Sequence, residues 1–567
     1  MLEAVSAQPI AAGVLELWHA IVGETCAALG WPPPQRVARA HPGGASLLLS
    51  APLDQLFAAT EVNEWAWQRA SGAHDGFHAP GHPASWDAAA ALDTLRRLAA
   101  GERAPALLAL VAAARTHGLE ASIDDATLSI GEGRWSRSWP VDDLPAPDAV
   151  PWDALRAVPK ALVTGSNGKT TTVRLLAAAL RTRGAPVGHC CTDGVFVDDV
   201  AVAGGDWSGP GGARQVLRHP GVEAAVLETA RGGILRRGMA VTRADVAVVT
   251  GISADHFGEY GVYGLEDLAD VKLTVARAID ARGVLVLNAD DAILRRRGDG
   301  LGCPLAWFAR EHAHPLLRAH RDAGGRTAGV HDGELLLAHG GDVASLGAVA
   351  AMPLTFGGRA TYNIGNLAAA ALAAHALGVP ASALAALYAG FGARHADNRG
   401  RLQRWSLGAT TVLLDYAHNP EGLDALLGIA GGLRGGGRLG LLLGQAGNRD
   451  DDAVRELGAV AARHRPDRVV LKDIAGYLRG RAPGEIAGVL REPLLAAGIA
   501  PDAIDTVLDE AEAARALVGW ARDGDLVVLP THGTQARERV SQWLDGLVQA
   551  GWTPGQVLPA LPAPATP

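Results

Sequence analysis

The chain has 567 residues, with 51 basic and 60 acidic side chains for a formal charge of −9, and is 48% hydrophobic and 20% charged. At ~100–200 residues per domain this length predicts about three to four domains, each large enough for its own core, and the composition excludes wholesale disorder. The acidic surplus argues against a general nucleic-acid-binding surface, no apolar run reaches the ~18 residues of a membrane helix, and Cys26, Cys190, Cys191 and Cys303 lack metal-ligand or disulfide spacing, a usage suited to a reducing cytoplasm.

Glu3 stands where a secretory leader would carry basic residues, so no such leader is expected. No fixed period of the kind that marks solenoids runs through the chain. Residues 1–158 mix helical patterning, over Gly13 to Leu29, Ala88 to Leu98 and Ala104 to His117, with a strand-like hairpin over Glu120 to Trp139. The proline-punctuated stretch from Leu144 to Pro151 reads as a linker. From Ala161 the pattern changes to apolar strand, glycine turn and amphipathic helix. Ala161 to Val163, Ala224 to Leu227, Asp245 to Val249 and Gly283 to Leu287 are short apolar runs of the kind buried on both faces as parallel strands. A second series follows Arg401: Thr411 to Leu414, Arg438 to Leu443, Arg468 to Leu471 and Asp525 to Leu529. The alternation predicts an α/β fold with doubly wound sheets, whose ligands sit at the carboxyl ends of strands. The Pro/Ala-rich tail from Gly555 is expected to fray.

Thr164-Gly165-Ser166-Asn167-Gly168-Lys169-Thr170-Thr171 lies between an apolar strand and a helix beginning near Thr170. Glycines there let backbone N–H groups close on phosphate oxygens, and the helix N-terminus adds its positive dipole end. Lys169 suits the β/γ-phosphates and the Thr170 hydroxyl suits Mg²⁺. Val163 stands where the full pattern has its first glycine, so only the shortened form is met. Glu228 ends the next apolar run, where a carboxylate beside the loop can hold Mg²⁺, a hard cation that prefers oxygen. Arg231 and Arg236 either clamp an anionic substrate or are surface charges. His256 follows the next run, so it and Glu228 can face one crevice, although a lone loop histidine more often has no role. Lys272 would by default be solvated. Just past the first strand of the second series come Asp415, His418 and Asn419; Asp415 suits a ribose hydroxyl or metal-bound water, and Arg401 a phosphate.

Further short motifs appear in order: Thr192-Asp193-Gly194, Leu227 to Arg236, Ala254-Asp255-His256, Asn288 to Asp291, Pro353 to Gly358, Tyr362 to Asn366, Gly400-Arg401, Asp415 to Pro420, and Leu478 to Arg481 with Gly484-Glu485. With the phosphate loop they resemble the Mur ligase superfamily of ATP-dependent amide-forming ligases, and within it the Mur-like half of the cyanophycin synthetases. The resemblance covers roughly Ala161 to Gly533. It implies a central P-loop ATPase domain with a parallel sheet over 159–396 and a C-terminal Rossmann-like domain over 397–555. A smaller α+β domain over 1–158 precedes them and a flexible tail over 556–567 follows.

The resemblance further implies that Gly165, Ser166, Asn167, Gly168, Lys169, Thr170 and Thr171 bind ATP, with Asn288 and Asn363 near the adenine. Thr170, Glu228 and His256 would ligate Mg²⁺, and Arg401 and Asp415 would reach over from the C-terminal domain. Lys272 matches the lysine that several members carbamylate, giving a carboxylate-like ligand for a second Mg²⁺. Lys169, Glu228, His256, Lys272 and Arg401 form the implied catalytic set, and Asp193, Arg231, Arg236, His418, Asn419, Arg449 and Arg479 the implied substrate contacts.

There are departures too. Arg399 replaces the proline usual before Gly400-Arg401, and Gln445 to Arg449 differs from the usual stretch near the incoming amine. Cyanophycin synthetases carry an ATP-grasp domain before the Mur half, whereas 158 residues precede it here. Those residues are expected to be a related N-terminal domain with the grasp module deleted, leaving a chain that ligates side chains but does not extend a polymer backbone.

The implied function is a cytoplasmic ATP-dependent carboxylate–amine ligase acting through an acyl phosphate. Its partners would be a small-molecule or peptide carboxylate acceptor and an amino-acid amine, with arginine addition to an aspartyl carboxylate as one candidate; neither nucleic acid nor membrane is expected. A homo-oligomer and a separate ATP-grasp enzyme stay open as partners. One alternative is a non-catalytic Mur-like scaffold for such an enzyme, against which the retained Lys169, Thr170, Glu228 and His256 speak. A plain P-loop ATPase or kinase would leave Asp415 to Pro420 unexplained.

Overall fold

The computed structural model describes residues 1–72, 88–254 and 257–563. Its largest element is an eleven-stranded sheet. Seven parallel strands form its middle, in the spatial order Val187–Cys191, Ala224–Glu228, Lys160–Thr164, Val246–Val249, Val284–Asn288, Leu305–Glu311 and Arg326–His331. Antiparallel strands extend both edges: Gly194–Val197 and Val200–Gly204 at one, Glu334–His339 and Asp342–Ala348 at the other. The inner strands are mainly apolar because helices cover both faces, as parallel sheets require.

The helix after the phosphate loop, Lys169–Arg181, packs against Thr361–Ala376 on one face. In the second helix Ala368, Ala369, Ala370, Ala371, Ala373 and Ala374 are all fully buried, and their small side chains let the helices lie close. A larger side chain at Ala370, which is fully buried, would overpack the core on this face, at a cost of ~1–3 kcal/mol.

A second, six-stranded sheet runs Gln403–Leu407, Thr410–Asp415, Leu526–Pro530, Leu439–Leu443, Arg468–Leu471 and Ile504–Thr506; only the first strand is antiparallel to its neighbour. Strand ends of the two sheets line one shared cleft, with Glu228, Thr250 and Asn288 from the first and Asp415, Gln445 and His532 from or just past the second.

The N-terminal region differs from the sequence reading. The expected hairpin is a three-stranded sheet, Ala121–Ile123, Thr127–Ile130 and Arg137–Pro140, because the chain after the Gly133–Trp135 turn returns to pair with the middle strand. A further sheet of Leu2–Val5, Gly44–Leu49 and Arg36–His41 packs with the helices Ala12–Ala28 and Leu56–Ser71. The 121–140 sheet is tied to the large sheet's unit by Arg218, which donates to Ser129 Oγ at 2.8 Å and to the carbonyls of Thr127 and Ser122 at 3.0 and 3.2 Å. The buried Lys160–Glu132 ion pair, 2.7 Å, adds a second tie. Past Gly555 the chain does not hang free over its described part: Leu561 is buried beside Trp543, whose indole donates to the Pro559 carbonyl at 3.2 Å.

Candidate active site

The phosphate loop is held open by its neighbours. Gly165 (φ +142°) and Gly168 (φ +84°) adopt backbone that favours glycine, and a Cβ on either would strike Thr250 or Asn366 respectively. Ser166 N donates to Gly251 O at 2.9 Å, its hydroxyl to Ser253 O at 2.9 Å, and Thr250 Oγ1 to Asn167 O at 2.5 Å. Lys169 opens the following helix, and its Nζ curls back to the carbonyls of Gly165 and Ser166 at 3.1 and 3.0 Å.

Beside the loop, Glu228 is 1% exposed and accepts from Thr170 Oγ1 at 2.9 Å and Thr192 Oγ1 at 3.1 Å. Burial pushes its carboxyl above the ordinary range, with Lys169 and Arg401 opposing. Lys272 is not solvated: it is 2% exposed, and its Nζ donates to Gly165 O at 2.7 Å. His256 lies outside the described residues.

The C-terminal unit reaches the loop at several points. Asn419 caps the helix Pro420–Leu433 through Gly422 N, 2.8 Å, while its amide donates to Asn167 Oδ1 at 2.9 Å; Asn167 in turn donates to Glu421 at 2.6 Å. Asn398 donates to the Thr171 hydroxyl at 3.3 Å. Arg401 follows Gly400 (φ +69°) and reaches Thr170 Oγ1 at 3.3 Å, its guanidinium stacked 4.1 Å from the centre of the Tyr416 ring. Asp415 accepts from the backbone N–H groups of Leu402 and Ala417 at 2.6 and 2.7 Å; burial raises its carboxyl and Arg401 opposes the rise.

Asp193, expected on a substrate, sits behind the cleft among arginines. It pairs with Arg174 at 2.7 Å and with Arg537, and Arg401 stands 4.0 Å away. Burial alone would raise its carboxyl, but Arg174, Arg537 and Arg401 outweigh it and hold the group below the usual range.

The cleft encloses about 1400 Å³. Asn288 lies on its wall, donating to Thr250 O at 3.0 Å, and Asn363 also lines it, donating to Leu354 O at 2.9 Å. Arg236, His418, Arg449 and Arg479 line the outer part. Arg231 is there too, bonded at 2.5 Å to Glu259, which also accepts from Asn448 at 3.0 Å and so joins the two units across the mouth. Arg481, the last residue of the Leu478 to Arg481 motif, is a loop strut, held by Asp451 at 2.7 Å and Glu485 at 2.9 Å.

Residues 163–374 match the Mur ligase middle domain and residues 400–531 the Mur ligase glutamate ligase domain. UDP-N-acetylmuramoyl-L-alanyl-D-glutamate--2,6-diaminopimelate ligase from Xanthomonas oryzae pv. oryzae is 30% identical over 397 residues, covering 67% of this chain and 73% of that protein. The chain belongs to the Mur ligase family. Cyanophycin synthetase from Synechocystis sp. is 35% identical over 402 residues, covering 71% of this chain but 45% of that protein, so this Mur ligase family member spans less than half the length of that relative. Among solved structures, E. coli FolC in complex with DHPP and ADP aligns with a TM-score of 0.49 and 19% identity over 68% of this chain and 89% of that one.

The donor set of this Mur ligase family member fits Mg²⁺. Among the described residues no three His, Cys, Asp or Glu side chains cluster to cage a metal. The site offers one buried carboxylate and the Thr170 and Thr192 hydroxyls, all oxygen. That suits an ion that takes one or two carboxylates and fills the rest of its shell with water and substrate phosphate. Thr192, Asn398 and Arg537 join the site through packing, beyond the candidate site residues named above. Thr192 is legible as the first residue of the Thr192-Asp193-Gly194 motif, whereas nothing local marks Asn398 or Arg537.

Proposed function

We propose that the protein is an ATP-dependent carboxylate–amine ligase that works through an acyl phosphate. The observation that carries this reading is the hydrogen bond from Thr170, in the first turn of the helix after the phosphate loop, to Glu228 at a strand end, met from the C-terminal unit by Arg401 within one cleft. In this reading the loop from Gly165 to Thr171 and Lys169 take the ATP phosphates, Asn288 and Asn363 flank the adenine, and Asp415 faces the ribose. Thr170 and Glu228, with His256, would hold Mg²⁺, which when bound would offset negative charge on the phosphates. The domain division at 158, 396 and 555, a cytoplasmic setting and a carbamylated Lys272 belong to the same proposal.

An acceptor carboxylate oxygen attacks the γ-phosphorus, the bond to the β-bridging oxygen breaks, and ADP leaves with that electron pair. Lys169 and Arg401 stabilise the charge on the transferring phosphoryl group, which is electrostatic work. An amine then attacks the acyl phosphate carbonyl, and the tetrahedral intermediate collapses to amide and phosphate with loss of the amine proton. Arg231 and Arg236 favour an anionic acceptor. His418, Arg449 and Arg479 line the side from which the amine arrives. An aspartyl carboxylate and arginine are the pair we assign first, by likeness to the cyanophycin synthetases. The test is mass spectrometry of products formed from ATP, Mg²⁺, aspartyl peptides and a panel of amino acids. An amide formed with one ADP per bond supports the reading; ATP turnover indifferent to every acceptor and amine would remove it.

A further inference from the structure

At the carboxyl end of the C-terminal sheet three ionisable side chains share one enclosed spot. Lys472 follows the strand Arg468–Leu471 and is fully buried, Glu510 opens the helix Glu510–Trp520, and His532 follows the strand Leu526–Pro530. Lys472 Nζ donates to Glu510 Oε1 and lies 2.8 Å from His532 Nδ1. Glu510 also accepts from the backbone N–H groups of His532 and Gly533, at 2.7 and 2.8 Å. His532 Nε2 lies 3.0 Å from the Ala417 carbonyl. Gly444 makes room for the lysine: a Cβ there would come within 2.8 Å of its Cδ and Cε.

The donors and acceptors assign one tautomer. A carbonyl oxygen only accepts, so His532 Nε2 carries the ring proton and donates it to Ala417 O, which leaves Nδ1 to accept from Lys472. Burial and the nearby Lys472 push the imidazolium well below its ordinary range, so the ring stays neutral. A buried Lys–Glu pair is weak evidence for stability, since well-packed apolar residues often do as well. What this one does is fix His532, and with it the turn after Asp415. The Tyr416 ring stands edge-on to His532, centroids 5.5 Å apart at 77°, and also carries Arg401 at 4.1 Å.

We propose that Lys472, Glu510 and His532 are positioning residues for Arg401: they lock one histidine tautomer, which pins Ala417 and Tyr416, which in turn aim the guanidinium at the phosphate loop. The proposal rests on the reading that Arg401 meets nucleotide phosphate.

Two measurements on the full chain test it. Nitrogen-15 NMR of the histidines, with His532→Gln to assign the signal, should report the Nε2–H form in the wild type. In Lys472→Met/Glu510→Gln, which leaves no lone buried charge, the signal should move toward a tautomer mixture. The second is a double-mutant cycle on the affinity for a non-hydrolysable ATP analogue with Mg²⁺. Arg401→Ala and His532→Leu should each weaken binding about tenfold, and the double variant no more than Arg401→Ala alone. His532→Gln, which keeps an N–H near the Nε2 position, should recover most of the loss. An Nδ1–H ring, additive losses in the cycle, or no rescue by glutamine would each overturn the positioning role while leaving the ligase reading intact. A wild type that binds no ATP analogue would overturn that reading, and the positioning role with it.

Discussion

Replacing Asp193 by asparagine removes one charge and almost no volume. Its carboxylate is 10% exposed and faces Arg174 and Arg537, themselves 9% and 6% exposed, with Arg401 at 4.0 Å. Arg174 belongs to the helix after the phosphate loop, whereas Arg537 and Arg401 come from the C-terminal unit. The variant therefore leaves buried cations facing one another across the junction. Breaking one side of a buried ion pair costs ~3–5 kcal/mol, and the amide oxygen that remains points to about 3 kcal/mol here. For a unit of ~150–250 residues that is a fall in Tm of roughly 6–12 °C. The pH dependence has a defined sign. Because the arginines hold the folded-state carboxyl below its unfolded value of ~3.9, Asp193 contributes fully above that value and loses its contribution as pH falls through the folded value. Scanning calorimetry at neutral pH, and again in steps below about pH 5, should show a gap between wild type and Asp193→Asn that is constant at first and narrows on acidification. Equal Tm values at neutral pH, or a gap that acid does not narrow, would refute the reasoning.

Lys169→Ala should keep the wild-type Tm and lower ATP turnover by ~10²–10³-fold or more, because the side chain touches loop carbonyls and the cleft but no core residue. Turnover within a few-fold of wild type would sink the phosphate-loop assignment. Glu228→Ala should shift the Mg²⁺ titration of activity to higher concentration, and superimposable titrations would exclude it as a ligand. Lys272→Ala should remove any stimulation by bicarbonate, whereas equal bicarbonate response in both proteins would remove carbamylation from the account. Glu132→Ala strands the buried Lys160 and should destabilise by ~3–5 kcal/mol, read as a lower Tm; the paired Glu132→Leu/Lys160→Met should recover most of it.

What could be read before the structure was local. The strands Lys160–Thr164, Ala224–Glu228, Val246–Val249 and Val284–Asn288 stood out because parallel strands buried on both faces are unbroken apolar runs. The glycines of the phosphate loop stood out because the turn needs their positive φ. The hairpin over Arg326–His331 and Glu334–His339 was overlooked although its turn, Asp332 at φ +48° and Gly333 at φ +79°, is an Asp-Gly signal. Arg36–His41 was missed for a different reason: half of its residues are charged or titratable, and it pairs as a partly exposed strand. The Asp193–Arg537 contact and the Lys472–Glu510–His532 group had no local signal at all. They join residues 344, 38 and 60 positions apart, and only the packing of strand ends brings them together.

The acyl phosphate is the central claim, and isotope transfer tests it most directly. An aspartyl oligopeptide labelled with oxygen-18 in its carboxylates would be incubated with ATP, Mg²⁺ and arginine, and the released phosphate analysed by mass spectrometry. Attack by the carboxylate on the γ-phosphorus predicts one labelled oxygen in each phosphate, matched by one ADP and one amide. Amide formation with unlabelled phosphate, or with AMP and pyrophosphate, would contradict the account.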